Sequence, residues 1–408
     1  MANDLDTPLI SIGIISLFDL ENLPSGNSPL MSLKRSHEEG SSIVVKSAKT
    51  GHLKNVEEGH IIYSTGDIIH PKDSQYTILE EFGNGKTSKV LKVEDKKDGR
   101  IYAMKIIIAN SLHREGAKQE INILNHHGKK DPERKSSVLP LLTHFDYDGH
   151  TCLLFDPLGL TLAKLIDQKD ESFTLEQIRS IAYQMCTAVK FMHDNKLTHA
   201  DLKPENILFC DPNIKSKKDV HNSSIRLIDL GLATFDSEPH LPIVGSRFYR
   251  APEMIMELGW SHPIDVWSLG CILFEMYTGR ILFYTTDDHE HLAMMQQILA
   301  SFPFSMTRVK KQQKTKYFTK QQLDKSPTVR EDYVKALKPL EECMKDETEE
   351  TQELFDLLRN MLRLDPERRI AIGEAIKHSF FEKSKDKSDN VLEESSSIGV
   401  NTDTTEAL

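Results

Sequence analysis

Two carboxylates, an ammonium and a carboxamide recur here at a spacing that suits phosphoryl transfer. Asp201, Lys203 and Asn206 lie within His199-Ala200-Asp201-Leu202-Lys203-Pro204-Glu205-Asn206. Asp229-Leu230-Gly231 follows about 30 residues on. Asp201 can accept the proton of an attacking hydroxyl, and Lys203 can neutralise charge on the moving group. Asn206 and Asp229 offer the oxygen donors that Mg²⁺ prefers when it is held against the phosphates of ATP.

A second lysine, Lys105, sits in the apolar run Tyr102-Ala103-Met104-Lys105. An isolated lysine in a strand is ordinarily solvated. Glu120 changes that reading, because it shares a helical face with Ala117, Ile121 and Leu124. A carboxylate on that apolar face is costly to bury alone, and pairing with Lys105 would remove the cost. The pair would aim Lys105 at the α- and β-phosphates. Gly83-Asn84-Gly85 begins Gly83 to Val90, a turn between two strand patterns. The strand context argues against the glycine loops that need a helix next. Ser88 stands where a third glycine would let backbone approach phosphate, so weaker nucleotide binding is expected. Thr151 to Gly159 reads as a strand running into a connection between two parts. By position, Phe155 would back an adenine pocket, while the carbonyl of Asp156 and the N–H of Leu158 would meet the purine edge. Pro157 lacks an N–H, but that donor is not the one needed.

Other residues read as support. Ser246, before Arg247-Phe248-Tyr249-Arg250-Ala251-Pro252-Glu253, can hydrogen-bond Asp201 and Lys203. Glu253 should pair with Arg369, and Asp265 should brace the backbone around His199, itself a packed structural histidine. The loop around His199 resembles the catalytic loop of protein kinases, and Ala200 stands where many of them carry an arginine that pairs with a phosphate on the activation segment, here residues 229–253. Activity is therefore expected not to need phosphorylation there.

These groups need a scaffold, and its elements are visible. Tyr76 to Phe82, Lys89 to Val93 and Ile101 to Ile108 read as antiparallel strands, with Asp98-Gly99 as a tight turn. A helix is predicted near Glu115 to His126, with Gly128 as its C-cap. Thr174 and Gln177 form a capping-box pattern before a long apolar helical period. Ile264 to Tyr277 is apolar nearly all round, as a buried helix is, with Gly279 just beyond.

The chain has 408 residues, 28% charged and 38% hydrophobic, with a formal net charge of −11. That balance fits a soluble protein, argues against nucleic-acid binding and suits a basic peptide partner. Its five cysteines are odd in number, scattered and without a Cys-x-x-Cys, as expected of free thiols in a reducing compartment. Leu9 to Phe18 does not read as a signal peptide, and no stretch approaches the roughly 18 apolar residues of a membrane span. Nuclear or cytoplasmic placement and a monomeric state are expected.

Over residues 76–381 these motifs resemble the eukaryotic protein kinases, and Arg250 before Ala-Pro-Glu resembles the CMGC group. Glu290-His291-Leu292-Ala293-Met294-Met295 is similar to the naming motif of the LAMMER, or Cdc-like, kinases. So are Leu197-Thr198-His199, Glu257-Leu258-Gly259-Trp260, Lys316-Tyr317-Phe318 and the upstream Glu57-Glu58-Gly59-His60-Ile61. The resemblance implies an α+β, two-lobed kinase fold with a small antiparallel β-rich N-lobe and a larger, mainly helical C-lobe. Residues 1–56, rich in Ser, Asn, Gly and charge without a sustained period, and the similar tail 382–408 read as disordered; between them the resemblance implies an N-lobe (57–158) and a C-lobe (159–381) with an insert at about 286–340. It implies ATP and Mg²⁺ as cofactors, with Asp201, Lys203, Lys105 and Glu120 catalytic and Asn206 and Asp229 on the metal. The nucleotide residues it implies are Gly83, Gly85, Val90, Ala103, Lys105, Phe155, Asp156, Leu158 and Leu208. The implied activity is transfer to Ser, Thr and possible Tyr hydroxyls, on Arg/Ser-rich splicing factors. Three departures stand out: Gln296-Gln297 replace a charged Glu-Arg pair, Ser88 replaces glycine, and the extension lacks Arg-Ser repeats. Ser88 and Ala200 favour a competing reading, a pseudokinase that binds nucleotide and partners without turnover. The intact Lys105, Glu120, Asp201, Asn206 and Asp229 oppose it. A third reading, an interaction protein using the basic run at 308–316, competes with an ordinary solvated face.

Overall fold

The computed structural model describes residues 59–169, 171–221, 223–308 and 317–382. The expectations placed on residues 1–58 and 383–408, on Lys316 and on most of the basic run (309–316) lie outside the described residues. The chain divides into two compact units. Among the described residues, one gathers 59–118 with 142–156, and the other 119–141 with those from 157 to 382.

The first unit is built on an antiparallel sheet. Its strands are β1 (Ile68–Ile69), β2 (Tyr76–Asn84), β3 (Ser88–Asp95), β4 (Ile101–Ile107), β5 (Thr143–Tyr147) and β6 (His150–Phe155), in the order β1-β2-β3-β4-β6-β5. Side chains alternate between faces along each strand. Leu91, Val93, Met104, Ile106, Cys152 and Leu154 therefore join Ile69, Tyr76 and Ile78 in one buried cluster. Full burial of such a side chain contributes about 1.5–3 kcal/mol. Tyr76 stacks on Phe145 with ring centroids 5.8 Å apart. Register shifts in β2 between Ile78 and Glu80, and between Glu81 and Gly83, bend the strand as it enters the glycine turn.

Helix α1 spans Ser111–Lys130, which corrects the expected C-cap at Gly128. That glycine lies within the helix, and the stop comes from Pro132, which disfavours helical backbone at Asp131. The Asp131 carboxylate instead accepts the N–H groups of Lys135 and Ser136, each at 2.8 Å.

The second unit is mainly helical. In chain order it contains α2 (Leu162–Ile166), α3 (Leu175–Asp194), β7 (Leu197–Thr198), β8 (Ile207–Phe209), β9 (Ile225–Leu227), β10 (Thr234–Phe235), α4 (Pro252–Ile255), α5 (Pro263–Thr278) and α6 (Asp288–Ile298). After these come α7 (Phe304–Thr307), β11 (Phe318–Thr319), β12 (Gln322–Leu323), α8 (Glu331–Lys335), α9 (Glu349–Met361) and α10 (Ile372–Ala375). Strands β7 and β10, β8 and β9, and β11 and β12 pair antiparallel. The Thr174–Gln177 capping box opens α3 as expected. Every residue of α5 from Ile264 to Tyr277 is buried, and Gly279 caps it in the left-handed conformation. The expected pair also forms: Arg369 donates to Glu253 at 2.6 and 2.9 Å, with both side chains buried.

All five cysteines are free. Among the described residues no helix is long and apolar enough to cross a membrane.

Candidate active site

In the second unit, the residues between β7 and β8 carry the loop with Asp201. Buried Asp265, near the start of α5, fixes its backbone. One Asp265 oxygen accepts the His199 N–H at 2.8 Å and the other accepts the Ala200 N–H at 2.9 Å. His193, near the end of α3, hydrogen-bonds the same carboxylate at 2.9 Å. Burial opposes the Asp265 charge, but these bonds outweigh it and hold its pKa below the usual carboxylate range. His199 is fully buried, consistent with a packing role. Ala200 has φ 66°, a left-handed conformation that an alanine adopts at a cost. Strain of this kind concentrates at functional loops whose surroundings over-determine them.

Asp201 is held from several sides. The Ser246 hydroxyl and the Ser246 N–H both donate to its Oδ1 at 2.8 Å. Lys203 donates to Oδ2 at 2.8 Å and to Ser246 Oγ at 3.0 Å. The expected role of Ser246 is therefore present. Burial works against the Lys203 charge, yet the neighbouring Asp201 carboxylate, with Asp229 beyond it, raises its pKa. Gly245 lets the activation segment come this close. Its φ is +69°, and a Cβ there would stand 2.4 Å from the Ala200 carbonyl oxygen. No side chain fits.

The metal candidates are tied to the same loop. Asn206 donates through Nδ2 to the Asp201 carbonyl at 2.9 Å, which settles the amide's orientation and directs its oxygen elsewhere. Its own carbonyl accepts the N–H of Ile228, the residue before Asp229, at 3.0 Å. Asp229 is exposed and has φ 63°. A Cβ on Gly231 would lie 3.3 Å from Asp229 Oδ1 and 3.9 Å from Glu120 Oε2, so this glycine keeps space open beside two carboxylates. Among the described residues no group of three or more His, Cys, Asp or Glu forms a metal cage. One carboxylate and one carboxamide oxygen fit Mg²⁺, which keeps waters and takes its remaining oxygens from phosphates.

In the first unit, Gly83, Val90, Ala103, Lys105 and Phe155 share one sheet face. Val90 pairs with Lys105 and Gly83 with Val90, while Ala103 pairs with Phe155. Directly opposed residues lie on the same side of an antiparallel pair. Val90, Ala103, Lys105 and Phe155 therefore face away from the buried cluster of Leu91, Met104 and Leu154. Asp156 closes this unit, and Leu158 and Leu208 belong to the other, as does Glu120. Glu120 is buried on the predicted helix face with Ala117, Ile121 and Leu124.

Other supporting contacts escaped the sequence reading. Tyr249, in the short turn after Ser246, donates to buried Glu275 at 2.6 Å. Arg247 donates to Asp288 at the start of α6. An acid within the apolar α5 was the available signal for the first of these, since a buried carboxylate demands a partner. In α6, Glu290, His291, Leu292, Met294 and Met295 are buried, whereas Gln296 and Gln297 are exposed. Glu290 is paired with Arg330.

The family model described as "Protein kinase domain" matches residues 76–381. The serine/threonine-protein kinase Doa of Drosophila melanogaster is 45% identical over 348 residues, covering 81% of this chain and 41% of Doa. The chain thus spans about two fifths of that relative's length. The dual specificity protein kinase CLK2 of Homo sapiens is 44% identical over 359 residues, covering 84% of this chain and 71% of CLK2. A solved kinase domain superposes with a TM-score of 0.71 at 32% identity, covering 79% of this chain and 99% of that one.

Proposed function

This chain belongs to the protein kinase family, within it to the LAMMER or Cdc-like kinases, and from that premise we propose that it transfers the γ-phosphoryl group of ATP to protein hydroxyls. Serine and threonine are the principal acceptors and tyrosine an additional one, in line with the dual specificity named for CLK2. One observation carries the reading: Asp201 is fixed by Ser246, Lys203 and the Asp265-braced backbone. In that setting Asp201 orients the acceptor hydroxyl and takes its proton. Lys203, protonated beside it, offsets charge on the transferring group. Asn206 and Asp229 would hold Mg²⁺, and Lys105, supported by Glu120, would hold the α- and β-phosphates. When bound, the metal neutralises developing charge on the phosphates. The glycine turn would cover them, with Phe155, Asp156, Leu158 and Leu208 completing the nucleotide site.

The proposed substrates are basic, Arg/Ser-rich splicing factors, a class supported by the family motif and by the net charge of −11. We place the protein in the nucleus or cytoplasm, where free thiols such as its five cysteines persist. The decisive experiment compares wild type with Asp201→Asn on Mg-ATP and an Arg-Ser peptide. Wild-type turnover should fall by about 10²–10⁴-fold in the variant. Equal turnover in both proteins would refute the assignment.

A further inference from the structure

In the first unit an open cavity of about 710 Å³ lies between residues 60–65 and the glycine turn. Tyr63, Lys86 and Lys89 all line it. Tyr63 grips both strands of that turn. Its hydroxyl donates to the Glu81 carboxylate on β2, and the Lys89 ammonium on β3 lies 5.3 Å from its ring centroid. Lys89 is paired in register with Asn84 across the turn, so one side chain secures the turn's base on both sides. The ring also packs against the buried cluster of the sheet. Burial, and then the Glu81 carboxylate, push the phenol's pKa upward, so it remains a protonated donor at physiological pH. The bond to Glu81 is itself at the surface, and the adjoining Ile62, Ser64 and Thr65 are exposed. The hydroxyl becomes reachable once that exposed bond opens.

We propose that Tyr63 is a phosphorylation site and that Lys86 and Lys89 receive its phosphate. The phenolic oxygen attacks the γ-phosphorus of ATP. The bond from that phosphorus to the β-bridging oxygen breaks, ADP leaves with the electron pair, and the phenol proton passes to the base of the modifying kinase. A group of about −1.5 to −2 charge then stands where a donor stood. It cannot donate to Glu81 and is repelled by it. The two ammonium groups of the same cavity offer charge-assisted hydrogen bonds instead. The tyrosine's grip thereby moves from β2, at the base of the turn, to Lys86 at its tip. A turn held by its tip is less able to fold over phosphates, so nucleotide affinity falls.

The inference rests on the kinase reading only for its consequence, and the test therefore reads binding, not turnover. Phosphotyrosine is placed at position 63 of the full chain by amber suppression, and the Kd for Mg-ATP is measured by calorimetry. The Kd should rise about three- to tenfold, as expected when one or two charge-assisted bonds redirect the turn. The rise should vanish when Lys86→Met and Lys89→Met accompany the phosphate. An unchanged Kd, or a rise that persists without the lysines, overturns the proposal. Occurrence is checked by peptide mass analysis of wild type and Asp201→Asn proteins from eukaryotic cells. Phosphate on Tyr63 in wild type alone identifies self-modification. Phosphate in both identifies another kinase, and phosphate in neither overturns the site. Failure of the catalytic reading would appear separately, as inactive unmodified wild type.

Discussion

The catalytic loop and the glycine turn serve the same phosphate chemistry but are secured in opposite ways. The Asp201 carboxylate is gripped by the Ser246 N–H and hydroxyl and by Lys203, and the backbone behind it ends on a buried carboxylate. The tip of the glycine turn is closed by a backbone bond from the Gly85 N–H to the Ser88 carbonyl at 2.9 Å, and its residues Lys86 and Thr87 are exposed. A proton acceptor must stand within a fraction of an ångström of its productive position. A cover must admit nucleotide and release it, which favours weak, solvent-exposed attachment. The two regions should therefore respond to substitution on different scales.

The largest effect should come from the brace. Asp265→Asn keeps the shape of the side chain but replaces an acceptor oxygen with a donor facing buried N–H groups. His199, Ala200 and His193 cannot all remain satisfied. A buried donor without a partner costs about 1–3 kcal/mol, so a stability loss of that order is expected in a denaturant titration. The kcat should fall by about 10²-fold or more as the loop loses its register, with KM for ATP changing far less. A variant with wild-type kcat would show that the loop holds Asp201 without its brace.

Much of the rigid region was legible in the chain because its chemistry is local. Asp201, Lys203 and Asn206 fall within one short run, the Thr174 capping box needs a fixed three-residue offset, and an acid or base on an apolar face announces that it needs a partner. That logic found Ser246 with Asp201, Glu253 with Arg369, and Asp265 with the loop backbone. It failed where one or both ends of a contact carry no pattern. Nothing near Tyr63 points to Glu81, and although the acid within apolar α5 signals that Glu275 needs a partner, nothing near Tyr249 names it as that partner. Helix α1 was also misread at its end, because Gly128 suggested a cap while the actual stop was Pro132. Gln296 and Gln297 looked like a break in a functional motif. They lie on the exposed side of α6, so the motif's packing is kept and only its surface charge changes.

An intermediate effect should appear at the buried support of the activation segment. Burial, with Glu205 and Asp167 adding like charge, raises the Glu275 pKa from 4.5 to about 7, despite the hydrogen bond from Tyr249. The folded state therefore favours the protonated carboxyl. Its stabilising contribution is complete below the ordinary value and is lost as pH rises through about 7. The slope from this group reaches at most about 1.4 kcal/mol per pH unit. Glu275→Gln keeps an oxygen to accept from Tyr249 but has no proton to lose. Its thermal midpoint should fall less than that of wild type as pH rises over this interval. Parallel wild-type and variant profiles would mean that Glu275 does not titrate there.

The smallest effect should come from the glycine turn, where the sequence had suggested damage. Ser88 begins β3, pairs with Ile107 and has an ordinary negative φ, so its backbone does not require glycine. Its contribution to the turn is its carbonyl, which any residue supplies. Ser88→Gly should therefore leave kcat unchanged and shift KM for ATP by no more than about threefold. Added chain entropy would cost about 0.5–1 kcal/mol of stability at most. A tenfold fall in KM would mean that the serine side chain does obstruct the phosphates. It would also erase the contrast between the regions, because the turn would then be as exacting about its side chains as the loop that holds Asp201.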